Sequence, residues 1–132
     1  MLYNIVMFNR HEYRERLVFV LYQHLLLDKP LNVCFNDCFE DDDNEFVHNI
    51  IGDLIINENK YIEEISKHLV KWSFDRLNYI EQAILLEATS EIKLNINDKS
   101  VIIDEAIIIA KEYCDEDSYK YINGVLDNIC NN

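Results

Sequence analysis

Two groups of side chains in this sequence have the types and spacing to hold a phosphate or a flat base. Arg10, Arg14 and Arg16 cluster with His11 and Tyr13 where a first helix begins, and Arg10 and Arg14, four apart, share a helical face. Guanidinium groups clamp phosphates bidentately. Glu12 and Glu15 lie among them, so a solvated face with local ion pairs is the plainer reading by residue type alone. The second group is Asp117, Ser118, Tyr119, Lys120, Tyr121 and Asn123. Rings beside a lysine at a helix start stack on unpaired bases while the amine meets phosphate, and an asparagine amide bonds a base edge. A capped helix start with one aromatic in the core accounts for the same types.

Nothing in the chain has the spacing of a catalytic centre. There is no glycine-rich phosphate loop, no nucleophile elbow and no His-Glu-x-x-His. Of the four histidines, His11 reads as exposed on the first helix, His24 as a core-boundary residue, and His48 and His68 as helix-surface residues. No orienting partner stands at motif spacing from any of them, so each is read as structural. Cys34 and Cys38 are four apart and with His48 or His68 would make zinc ligands, but no second close pair follows. They are read, with Cys114 and Cys130, as small buried or half-buried thiols. No metal and no cofactor is expected.

Helices must position these groups. Asn9, with Glu12 three residues on, has the spacing of a capping box for a first helix that carries Leu17, Leu21 and Leu25. Lys29-Pro30 ends it. Residues 33–39 make a short helix. The acidic run Glu40-Asp-Asp-Asp-Asn-Glu45 reads as a solvated loop whose end caps the next helix, and it lacks the central glycine of a calcium loop. Phe46, Ile50, Ile51 and Leu54 predict one amphipathic helix; Tyr61, Ile62, Ile65, Leu69 and Trp72 predict another. Asn78 and Glu81 repeat the capping-box spacing before a stripe of Ile80, Ile84, Leu85, Ala88 and Ile92. After a turn at residues 95–99, Ile102, Ala106, Ile109 and Ala110 line the next helix. Asp115 is placed to cap the last helix, whose core side is Tyr121, Val125, Leu126 and Ile129. Gly124 in its middle costs about 1 kcal/mol relative to alanine, which predicts a close approach by a neighbouring backbone or a ligand.

The bulk numbers agree with an all-helical chain. It has 132 residues, 49% of them hydrophobic, with two glycines and one proline, too few for the turns of a sandwich or barrel. The expectation is an all-α single domain over residues 1–132 with about six or seven helices. The N-terminal apolar stretch Met1-Leu-Tyr-Asn-Ile-Val-Met-Phe8 lacks a basic start and is too short to span a bilayer, so a reduced, cytoplasmic location is expected. The net charge of −13 repels nucleic acid at long range. A local basic patch still acts inside a Debye length of about 8 Å.

Five motifs, in order along nearly the whole chain, make it resemble the NusB family of bacterial transcription antitermination factors. They are Val20-Leu-Tyr-Gln23; Trp72-Ser-Phe-Asp-Arg-Leu77; Ile80-Glu-Gln-Ala-Ile-Leu85 with Glu91; Asp104-Glu-Ala106 with Ala110-Lys-Glu-Tyr113; and residues 117–127, whose Asn-Gly-Val-Leu-Asp core is the most specific. The resemblance implies an all-helical fold of two small bundles. It implies binding, without catalysis or cofactor, of single-stranded boxA RNA in ribosomal RNA leader transcripts. The implied partner is NusE, a small-subunit ribosomal protein, within the antitermination complex on RNA polymerase, and the chain itself is a monomer or a homodimer. Carried over residue by residue, the implied RNA contacts are Arg10, Arg14, Tyr22, Asp117, Ser118, Lys120, Tyr121 and Asn123, and the implied partner contacts are Glu81 and Glu91. Acidic side chains suit a basic ribosomal protein.

The chain departs from the family pattern where the family has more cations. His11 and Glu12 stand where arginines are common, Phe19 replaces a glutamine, Leu86 an arginine and Cys114 a small residue. This thinned basic arm predicts weak RNA binding by the chain alone and stronger binding with the partner. Two other readings fit parts of the sequence. An acidic helical protein-interaction module without RNA binding fits the net charge. The NusB-like domain that precedes an RNA methyltransferase would need a cofactor-binding fold after it.

Overall fold

A computed structural model describes residues 8–39 and 42–131. Residues 1–7 of the N-terminal apolar stretch, and Glu40 and Asp41 of the acidic run, lie outside the described residues. Within them the chain forms six α-helices and one short 3-10 turn, and no strand. The helices are α1 (Arg10–Leu27), α2 (Leu31–Cys38), α3 (Glu45–Ser66), α4 (Tyr79–Leu94), α5 (Lys99–Tyr113) and α6 (Glu116–Cys130).

Local sequence sets the helix ends. Both expected capping boxes form: Asn9 accepts from the Glu12 amide and the Glu12 carboxylate accepts from the Asn9 amide, and Asn78 and Glu81 do the same for α4. At their far ends Asp28 and Asn95 take the left-handed conformation, with φ of 53° and 54°, which aspartate and asparagine adopt more readily than most residues. Asp115 occupies the N-cap position of α6, but its carboxylate makes no capping bond. Acids in the first turn, Glu116 and Asp117, still suit the positive end of the helix dipole.

The middle of the chain differs from the sequence expectation. One helix of 22 residues, α3, replaces the two predicted there. The polar stretch after Ile56 continues the helix because Asp53 organises it: its carboxylate accepts from Asn57 Nδ2 at 2.9 Å and from the Tyr61 hydroxyl at 2.8 Å. Ser90 of α4 donates to the same carboxylate at 2.7 Å, tying α3 to α4. The predicted extension to Trp72 does not form. α3 stops at Ser66; beyond it Leu69 of the predicted stripe is half-buried against the core and Trp72 is 59% exposed.

α4 is the axis of the molecule. It packs against α1, α3, α5 and α6, and every residue from 81 to 92 is buried. A helix surrounded on all sides needs no single apolar stripe, which is why the predicted one is incomplete. α1, α2 and α3 pack together on one side of α4, and α5 and α6 pack together on the other. The core runs through both groups, from Leu17, Leu21, Ile50 and Leu54 to Ile102, Ile109, Ile122 and Leu126. The α5 stripe is as predicted, whereas on α6 Ile122 is fully buried and Tyr121 only partly.

Candidate RNA-binding surface

The three arginines of the first helix have three different fates. Arg16 is pinned to the end of α2: one Nη donates to the Cys38 carbonyl at 2.8 Å, and the guanidinium lies over Phe8 and Phe39. Arg14 is 3% exposed. Its Nε and Nη2 donate to the two oxygens of Glu91 at 2.8 and 2.9 Å. Burial opposes its charge, and the bond to Glu91 with the nearby Glu87 and Glu105 carboxylates outweighs that, so its affinity for the proton is raised. Arg10 alone of the three is exposed, with its guanidinium 4.1 Å over the Phe46 ring.

This sorting bears on three of the expected contacts. Arg14 is too enclosed to clamp a phosphate, and Glu91, at 0% exposure, is too enclosed to meet a basic partner. Each is the other's counter-ion, because a charge taken out of water needs a hydrogen-bonded opposite charge. Glu81 is likewise 7% exposed and internally committed, through the capping box to Asn78 and through its other oxygen to the Tyr121 hydroxyl. Below the Arg14–Glu91 pair lies Glu87, 2% exposed. Burial, and then the charge of Glu91, push the Glu87 pKa well above the ordinary 4.5. Two acids four residues apart in an apolar helix were the sequence signal for this cluster.

The start of α6 borders a cleft of about 780 Å³, whose other wall is the irregular segment after α3. Asp117, Ser118 and Tyr121 line it, facing Trp72 and Arg76. The Tyr121 ring reaches the cleft while burial, and then its bond to Glu81, hold its hydroxyl protonated. Gly124 also lines the cleft, and among the described residues no side chain and no backbone from beyond its own stretch of helix lies within 4 Å of where its Cβ would stand. The close backbone approach predicted for it is absent; the position opens on free space. Lys120 and Asn123 are exposed on α6, and Ser118 is buried. Trp72 was legible as a motif residue, but its exposure in this cleft had no sequence signal.

Side chains link the two candidate regions along α5. His11 bonds Glu105, Arg14 Nη1 lies 4.0 Å from Glu105, and the Phe19 ring meets Tyr113 edge-on at 5.1 Å between centroids. Contacts therefore run in the same order along α1 and α5. They bring the middle of α1, where Tyr22 is half-buried, toward the α5–α6 junction. Arg10 is nine residues before Phe19, about 14 Å along the helix, and belongs to a separate patch. The potential zinc ligands do not converge, since no cluster of three such side chains occurs among the described residues. Among the described residues no helix is long and apolar enough to cross a membrane.

Comparison with known proteins agrees with this geometry. The transcription antitermination protein NusB of Sulfurovum sp. (strain NBC37-1) is 34% identical over 128 residues, which cover 93% of this chain and 98% of that protein. The solved T. maritima NusB superposes with a TM-score of 0.85 at 30% identity, over 96% of this chain and 93% of its own. A NusB solved with NusE and double-stranded RNA has the same fold, with a TM-score of 0.80 at 24% identity over 92% of this chain and 96% of its own. The NusB family model matches residues 11–131. On that match, and on relatives aligned over almost their full length, the chain belongs to the NusB family.

Proposed function

We propose that this protein is a transcription antitermination factor that acts in the cytoplasm by binding, without catalysis. Its ligands are single-stranded boxA RNA of ribosomal RNA leader transcripts and NusE, and the assembly suppresses premature termination by RNA polymerase. The observation that carries the RNA reading is the open cleft at the start of α6, where Asp117 and Tyr121 face the exposed ring of Trp72 and the cation of Arg76. Such a groove takes an unpaired base against a ring and its phosphate against a cation. The RNA contacts are Arg10 at one end, then Tyr22, Asp117, Lys120, Tyr121 and Asn123, with the buried Ser118 beneath them in the cleft wall. NusE relatedness enters through the solved NusB–NusE–RNA assembly, whose NusB shares this fold.

Net charge sets the expected strength. At −13 the chain alone opposes the approach of RNA, and a basic ribosomal partner relieves that repulsion. A titration of boxA-like single-stranded RNA, with and without NusE, is expected to show weak binding alone and tight, sequence-preferring binding with the partner. Absence of sequence preference in both conditions would remove the RNA reading and leave an acidic protein-interaction module.

A further inference from the structure

We propose that Asn97 and Phe46 are positioning residues that hold the Arg10 guanidinium ready for an RNA phosphate. The role rests on the RNA reading above and gives that surface its phosphate end. Arg10 lies in the first turn of α1, and a free arginine there would sample many rotamers whose loss opposes binding. Here it is held from two sides. Its guanidinium stacks 4.1 Å from the centre of the Phe46 ring, which is itself 5% exposed at the start of α3. The Asn97 amide lies in the turn between α4 and α5; assigned with its oxygen toward the arginines, the orientation their N–H groups require, it accepts from Arg10 Nη1 at 3.1 Å and Arg14 Nη2 at 3.1 Å. Arg14 is fixed in turn by Glu91.

The chemistry of the two holders is what points to an external anion. A ring face and an amide oxygen orient a guanidinium without cancelling its charge. A carboxylate orients and cancels, as Glu91 does for Arg14. Among the described residues Arg10 makes no ion pair. Stacking uses the flat face of the guanidinium, and Asn97 uses one N–H, so an in-plane edge is left for a bidentate oxygen pair. The two arginines four residues apart thus divide the work: the buried one braces the amide, and the exposed one is presented.

The test is the salt dependence of boxA single-stranded RNA binding by the full chain with NusE. Arg10→Ala is expected to weaken binding about tenfold and to flatten the log–log salt slope by about 0.7, the value for one phosphate contact on a single strand. Asn97→Asp, nearly isosteric in a half-buried turn, is expected to lose a similar amount of slope although Arg10 is still present, because the new carboxylate neutralises it. Asn97→Ala is expected to weaken binding about threefold in the wild-type background and not at all after Arg10→Ala. An Asn97→Ala effect that persists unchanged without Arg10, or an Asn97→Asp variant with the wild-type slope, would overturn the proposal while the RNA reading stands. Loss of boxA preference in the wild-type complex would instead remove the RNA reading and this role with it. Unfolding midpoints of the same single and double variants separate these cases, since they report the Arg10–Asn97 contact without RNA. Strictly additive midpoints would show that the contact itself is absent.

Discussion

At the scale of single residues, the least expected feature is a carboxyl group whose charged form the core disfavours. Glu87 is fully enclosed beside Glu91, and its pKa is raised, first by burial and then by its neighbour's charge. One of its oxygens has no hydrogen-bond partner. A group whose folded pKa lies above its unfolded value of about 4.5 binds more protons folded than unfolded. Its effect on stability is therefore least harmful below that value and worsens as pH rises toward the folded pKa. Glutamine mimics the neutral form at every pH. Glu87→Gln is expected to raise the unfolding temperature at pH 8 and to leave it unchanged near pH 4, as measured by thermal unfolding at both. A variant less stable at pH 8 would mean that Glu87 is ionised and serves Arg14 as a second counter-ion.

At the scale of elements, most of the fold was legible and most of the tertiary commitments were not. Asn9 with Glu12 and Asn78 with Glu81 announced two helix starts because capping is a local bond between neighbours in sequence. The α5 stripe was legible for the same reason. The continuity of α3 was not, since it depends on Asp53 gathering Tyr61 and a serine from another helix. The site was legible as residue types and not as exposures: nothing local says that Arg14 is enclosed by Glu91 or that Trp72 is open. His24 is a tie of this long-range kind between α1 and α3. Its Nε2 lies 2.7 Å from Glu58 Oε1, and its Nδ1 faces the Lys29 carbonyl. Both nitrogens face acceptors, so the doubly protonated ring fits best. The bond to Glu58 is the main cause that raises its pKa above 6.5. That stabilisation is fully present below pH 6.5 and is lost as pH rises through the folded value. His24→Gln is expected to lower the denaturant midpoint at pH 6 and to approach the wild type by pH 9. An equal deficit at both pH values would assign His24 a packing role only.

At the scale of the whole molecule, charge decides what the surface can do alone. The chain carries 25 acidic and 12 basic side chains. Three of the basic ones are committed within the chain: Arg14 to the buried Glu91, Arg16 to the end of α2, and Lys93 to Glu64 at the surface at 2.7 Å. Each ion pair removes one charge of either sign, so the net charge stays at −13 and opposes both compaction and an approaching RNA. Salt screens self-repulsion at long range and leaves a buried pair such as Arg14–Glu91 largely untouched. Raising sodium chloride from 20 mM to 500 mM is therefore expected to raise the unfolding temperature of the isolated chain, by about 4 °C for each kcal/mol of repulsion relieved in a chain of this size. The same change is expected to weaken RNA binding by the complex with NusE, because released counterions dominate there. Opposite responses in the two measurements would locate the excess charge outside the RNA surface. A salt-independent unfolding temperature would mean that the acids are compensated locally, and then the weak binding expected of the chain alone could not be ascribed to its net charge.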